Sequence, residues 1–409
     1  MNSKPLNEIK NRRDFSEAFQ EAMSGAYESL RRHWTFEKDQ NLPKTYLVEF
    51  HPRYEEGSPP TWDSEAVFSA LKETSSACSA NVRRTQDDSI LFLSHQEKDK
   101  QAEFIVDCLN PRFLAFHTIS NAGATDRFIF ERLTQYQPEF DLFWLPVSLL
   151  EDVERREKII GWQAQFEPLI DGGSFSADSE ADTEIVEGTE SSDLQHSLIA
   201  SDHPVLNMRV IHPDALKTYR KLKDAPDILP DVPLNAVLTE RSDEQGGISA
   251  RAQIKSNGKV TGRGADFDSY LHIVNGTLDG YSDLVQRLES KYWINLVPVK
   301  MEPVNGFKVY GEPFCIKFDR KVDVDKVIQA MFDCKRPFRL MGVPEKIYED
   351  YYSVDAIDLH INQRVGFEIC PEFMRIYLYA ETCGNTLVRI VRSLQHHIDS
   401  RLSHPPLVS

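Results

Sequence analysis

The chain has 409 residues, of which 41% are hydrophobic and 10% aromatic, and a formal net charge of -17. That length can bury two or three cores, while no run approaches the ~18 consecutive apolar residues of a membrane-spanning helix. The polar start MNSKPLNEIKNRRD lacks the apolar segment of a signal peptide, and six cysteines without a C-x-x-C pair argue against a disulfide framework or a thiolate zinc site. These features lead us to expect a soluble, cytoplasmic, multi-domain protein that does not associate with a membrane.

In chain order, the first element is a helix from about Asp14 to Trp34, with Phe15, Phe19, Ala22, Ala26 and Leu30 on one stripe. Its apolar face needs a partner, and we assign residues 1–43 to this helix and a connector. Residues 44–170 then read as a first α+β region. The strand TYLVEF is followed by a helix capped by Asp63, the strands SILFLS, AEFIVDCL and RFLAFHTIS, and a helix beginning near Thr125.

Residues 171–204 are rich in Gly, Ser and acids and read as an acidic flexible linker. Most of the net charge belongs to the stretch 137–204, so the overall pI says little about folded surfaces.

A second region, 205–300, contains a hairpin signal at Asn257-Gly258, whose residues both accept the positive φ of a type I′ turn. A long amphipathic helix follows from Asp266 to about Lys291. A third region, 301–409, starts with PFCIKF and a helix capped by Asp323. Four strand candidates and a closing helix complete it.

Regions one and three read β-α-β-β-β-β-α and region two β-α-β-β-β-α. The fold class is therefore α+β: three consecutive regions of mainly antiparallel sheet with helices packed on one face. The order of regions one and three is similar to that of the TATA-box-binding-protein fold, a likeness of topology that carries no functional residue across.

One pattern recurs in all three regions: a strand-like run, then Gly, a spacer and a residue able to cap a helix. The copies are Gly123-Ala124-Thr125, Gly264-Ala265-Asp266 and Gly384-Asn385-Thr386. With the shared element order, they suggest an internal repeat.

The third copy is the candidate anion or nucleic-acid site. Unpaired N–H groups at a helix start, with Gly384, Asn385 and Thr386 beside Arg389 and Arg392 off the apolar stripe, suit a phosphate or carboxylate. A plain capped helix with a solvated basic face is the commoner meaning of such a sequence. Lys255, Lys259 and Arg263 around the hairpin could add phosphate attraction. Asp358, His360 and Glu368 on adjacent strands form the runner-up, a divalent-metal site for hydrolysis. The nuclease-type lysine after Glu368 is missing.

No catalytic constellation and no cofactor motif stands out. The expected function is a non-enzymatic binding subunit or adaptor of an intracellular complex, with a protein partner and possible nucleic-acid contact. The alternatives are a metal-dependent hydrolase of a phosphate-containing substrate, and a protein–protein scaffold motivated by the orphan face of the first helix and the long linker.

Overall fold

A computed structural model describes residues 5–33, 42–52, 62–78, 80–97, 100–167, 206–224, 232–243, 247–300 and 305–407. The acidic stretch 171–204 lies outside the described residues. The fold is α+β, with mixed helices and two antiparallel-dominated sheets. No described helix is long and apolar enough to cross a membrane.

The first stretch comprises helix α1 (Arg12–His33), β1 (Lys44–Phe50), α2 (Ser64–Cys78), β2 (Ala80–Arg84), β3 (Ile90–Glu97), β4 (Lys100–Asp107) and β5 (Phe113–Thr118). Next come α3 (Ala122–Asp126), a π-helical stretch Arg127–Leu133, α4 (Thr134–Tyr136), β6 (Phe140–Leu142), α5 (Val147–Asp152) and β7 (Lys158–Phe166). The middle holds β8 (Leu206–Ile211), α6 (Ala215–Lys223), β9 (Leu234–Ser242), β10 (Ile248–Lys255), β11 (Lys259–Gly264) and α7 (Phe267–Tyr292). The last part holds β12 (Trp293–Lys300), β13 (Asn305–Tyr310), β14 (Phe314–Lys317), α8 (Val324–Met331), β15 (Leu340–Tyr348), β16 (Tyr351–Asp358), β17 (Gln363–Ile369), β18 (Phe373–Tyr379) and α9 (Asn385–His397).

These elements form two compact units, each assembled from separated stretches: 1–143, 153–158 and 238–280 in one, 144–152, 159–237 and 281–409 in the other. The stretch 205–300 contributes to both.

In the first unit, β1 lies antiparallel beside β5, and the order runs β2-β3-β4-β5-β1-β11-β10. In the second, β14 lies antiparallel beside β18, and the sheet runs β13-β12-β18-β17-β16-β15. Both β-α-β-β-β-β-α segments therefore return the first strand beside the last. The alternation of Val354, Ala356 and Asp358 inward with Asp355 and Ile357 outward shows the period of two that makes β16 a one-side-buried strand.

The described part of the first helix's apolar face is covered. Phe15 and Phe19 are buried against His117 and Phe267, with ring centroids 5.0–6.2 Å and 5.1–5.5 Å apart respectively, all within the first unit. Of the two observations behind the scaffold reading, this one weakens, and the other, the long linker, lies outside the described residues.

The three Gly junctions are capped differently. Before α3 the cap is Asn121, whose side chain accepts from the Gly123 N–H at 3.0 Å, while the Thr125 hydroxyl donates to the Asn121 carbonyl instead. Before α7, Asp266 does cap, accepting from Ser269 N–H at 2.9 Å. Before α9 the N-cap is Gly384 itself, without a side-chain cap. Each helix starts at or beside its Gly turn, but neither threonine caps: the Thr125 hydroxyl donates to Asn121 O and that of Thr386 to Asp358.

The Asn257-Gly258 hairpin also differs from expectation. Gly258 has φ +79° and Asn257 is not among the positive-φ residues, so the loop is not type I′. Ile254 pairs with Val260, and Gly258 N–H donates to Lys255 O at 3.0 Å, the arrangement of a three-residue loop with Gly in the left-handed position. Gly258 is held there by close packing, since a Cβ would meet Leu47 O at 3.0 Å and Phe143 Cβ at 2.9 Å.

Candidate functional site

Helix α9 carries the sharpest sequence candidate, and every residue from Asn385 to His397 is buried. The basic side chains off its apolar stripe therefore face protein, not solvent. Gly384 N–H donates to Glu289 Oε1 at 3.0 Å, and a Cβ on Gly384 would meet Val285 O at 2.8 Å. The helix start thus presses against α7 within the second unit.

Where an anion was expected, the protein supplies its own carboxylate. Asp358, fully buried, accepts from the Thr386 hydroxyl at 2.8 Å and from the Arg389 guanidinium, whose other nitrogen donates to Phe338 O at 2.8 Å. Burial in a low-dielectric interior makes this pairing obligatory for both charges. Asn385 N–H points at Cys383 Sγ at 3.3 Å. Arg392 lies over the Trp144 ring at 5.1 Å and reaches Asn235 Oδ1 at 3.5 Å.

The histidines at the end of α9 are also tied to backbone. His396 Nδ1 lies 2.9 Å from Gln165 O and His397 Nδ1 2.9 Å from Glu167 O. Burial, with Arg392 nearby, holds the His396 pKa well below its ordinary value, and burial holds that of His397 down at about 4. Both are neutral near pH 7.

The hairpin cations are dispersed. Lys259 is buried, with Nζ 2.9 Å from Asp126 Oδ2 and above the Tyr46 ring at 5.7 Å. Lys255 and Arg263 are half-buried and also engaged in interactions of the fold.

The runner-up set does not converge. Asp358 pairs in register with Gln363, whereas Glu368 pairs with Ser353, five residues or about 16 Å along the strand. Ser353 and Asp358 also point to opposite faces, so Asp358 is in the core and Glu368 on the outside. His360 N–H donates to Asp358 Oδ1 at 3.0 Å, while its ring meets Trp144 edge-on at 5.8 Å.

Outside, Glu368 belongs to a polar group with Arg375, 2.9 Å away, Tyr351 and Tyr377. Burial pushes the Glu368 carboxyl up, but hydrogen bonds from Arg375, Tyr351 and Tyr377 outweigh it and lower its pKa. Tyr377 is pushed up to about 12 by burial and then by Glu368.

Sequence reading named sheet faces only in general terms and missed the residues of this one. On the outer face, Tyr377, Tyr379, Arg364, Ile357, Met341 and Val343 share rows across β18, β17, β16 and β15. Ile294 pairs with Tyr379, so Leu296 and Pro298 continue the same face onto the β12–β13 hairpin, opposite Val309 and Phe307. Of fourteen exposed large hydrophobic residues described, ten lie on this seven-stranded sheet, including Phe307 at 72% and Val343 at 83% exposure. Two ion pairs lie on the face: Arg364 with Asp355 at 2.5 Å and Arg375 with Glu368. The signal available in sequence was the apolar residue on the outward phase of alternating strands, as in Met341, Val343 and Ile357.

The MJECL33-like protein family model matches residues 3–404, nearly the full length on which both β-α-β-β-β-β-α segments are built. The chain belongs to the MJECL33-like protein family. It is similar to the protein MJECL33 of Methanocaldococcus jannaschii, 21% identical over 419 residues that cover 96% of this chain and 93% of that protein. No solved structure matches the chain significantly. The family name states no activity.

Proposed function

We propose that this chain is a non-enzymatic binding subunit of an intracellular complex, and that it docks a protein partner on the outer face of the β12–β18 sheet. One observation carries the reading: the outward phase of this sheet exposes apolar residues towards both edges, Leu296, Phe307 and Val309 on the β12–β13 hairpin and Met341, Val343 and Ile357 on β15 and β16, with Tyr377, Tyr379 and two ion pairs between them. A solvated antiparallel face ordinarily carries polar side chains, and apolar surface of this extent marks interaction sites on soluble proteins.

Charge favours protein over nucleic acid as the partner. Polyanion binding draws on cations available to phosphates, whereas Arg364 and Arg375 already lie against Asp355 and Glu368. Lys259 and Arg389 are likewise engaged with Asp126 and Asp358. The free thiols Cys108, Cys315, Cys334, Cys370 and Cys383 suit a reducing intracellular setting.

The test is native purification of tagged full-length chain, wild type beside Val343→Asp, with Leu109→Asp, 70% exposed and not part of the seven-stranded sheet, as the control. A protein retained in fixed stoichiometry by wild type and control but lost from Val343→Asp supports the reading. Retention by all three, or nuclease-sensitive retention of nucleic acid alone, overturns it.

A further inference from the structure

The two edges of the β12–β18 sheet are built differently. Strand β15, at one end, carries Pro344, Lys346 and a register shift between Lys346 and Tyr348. Proline, lysine and bulges are the devices that keep an edge strand from pairing with another chain. Strand β13, at the other end, carries no proline and no register break, and Lys308 is its only charge. Phe307 and Val309 are 72% and 59% exposed on it. A hairpin that meets β18 through Trp293 and Ile294 is moreover a marginal structure in water when its apolar face has nothing to cover it.

We propose that β13 pairs antiparallel, about a two-fold axis, with β13 of a second copy of this chain. The blocked β15 edge selects this occupant. A β13-to-β15 contact would be heterologous and could propagate into a filament, whereas like-with-like pairing at the β13 edge, open among the described residues, closes after two subunits. The joined sheets would form one continuous outer face.

Register follows from side-chain phase. Pairings that keep Phe307 and Val309 on the apolar side of both strands are centred on a residue, because successive side chains alternate between faces. Centring on Lys308 would oppose two like charges, which destabilises a cross-strand pair. Centring on Val309 sets Val309 opposite its own copy and Lys308 opposite Tyr310. Within one chain Lys308 Nζ already lies over the Tyr310 ring at 4.9 Å, so the pairing repeats a compatible contact.

Electrostatics supplies a diagnostic. Two chains of net charge -17 repel, and salt screens that repulsion. Association through β13 therefore tightens as ionic strength rises, the reverse of a contact driven by Lys308 and an acidic partner.

The inference concerns the strand edge and stands apart from the face proposed above. Sedimentation velocity of the full chain at low and at higher ionic strength should show a dimer that strengthens with salt. In a Cys334→Ser background, Val309→Cys should give oxidised dimer several-fold above Asn295→Cys, which sits on the inner hairpin strand; circular dichroism checks that both fold. A chain that stays monomeric at both salt levels with equal cross-linking in the two variants overturns the inference, as does a monomer whose β13 captures another protein's strand. A monomer that still loses its partner on Val343→Asp would sink this inference alone, leaving the proposed function in place. A salt-strengthened dimer whose Val343→Asp variant keeps every partner would do the reverse.

Discussion

The Arg389 guanidinium donates to the Asp358 carboxylate with both side chains inaccessible to solvent. The two residues are 31 positions apart, one at the end of β16 and one on the closing helix, and Thr386 shares the same carboxylate oxygen. Removing one partner leaves the other charge buried. Asp358→Ala or Arg389→Ala should each cost about 3–5 kcal/mol. The double variant Asp358→Leu, Arg389→Met should lose much less than the sum, which a double-mutant cycle by urea denaturation measures.

Gly384 is fixed by proximity to α7. Because the contact is a backbone carbonyl, Val285 O at 2.8 Å from an added Cβ, no side-chain rotation can relieve it. Gly384→Ala should destabilise by about 1–3 kcal/mol, even though its φ of -62° suits alanine. Thermal melts beside Gly25→Ala, where an added Cβ meets nothing within 4 Å, would isolate the steric cost.

Acid stability depends on buried histidines in each unit. His117 in the first unit and His397 in the second are both held down at about 4, by burial first in each case. The unfolded chain takes up these protons near pH 6.5, before the folded chain does. Their contribution is thus fully present above that pH and is lost as the pH falls from about 6.5 towards 4, on the order of 3 kcal/mol per histidine. His397→Gln should flatten that slope in pH-dependent denaturation; an unchanged slope would count against burial as its cause.

Val343 is 83% exposed, so its replacement should leave the fold intact. Val343→Asp should change stability by no more than about 0.5 kcal/mol while reducing binding of apolar dyes to the native protein. If dye binding persists unchanged, the outer face is not the accessible apolar surface.

The buried Lys259–Asp126 pair offers a comparison with Arg389. Lys259→Met leaves Asp126 partly open to solvent and still accepting from Tyr46 Oη–H at 2.5 Å, so it should cost less than Arg389→Ala. Parallel urea titrations would rank the two.

Local pattern was enough to read the order of elements. The β-α-β-β-β-β-α sequence in regions one and three follows from apolar period and from punctuation by Gly, Pro and Asp, which act over a few residues. Sequence also gave Asp323 as the cap of α8, whose side chain accepts from Lys326 N–H at 3.3 Å. What it could not assign was the partner of each polar group. Thr386, Arg389 and Arg392 read as a basic helix face, yet tertiary packing buried that face and presented Asp358 to it. Glu368 looked like a companion of Asp358 until strand register placed it on the other side of the sheet. The reason is physical: helix and strand periodicity are set by neighbours in sequence, whereas burial and charge pairing are set by residues tens of positions away. Sequence by itself determined the elements of this protein; only the tertiary structure decided which polar groups the core consumed and which apolar residues it left outside.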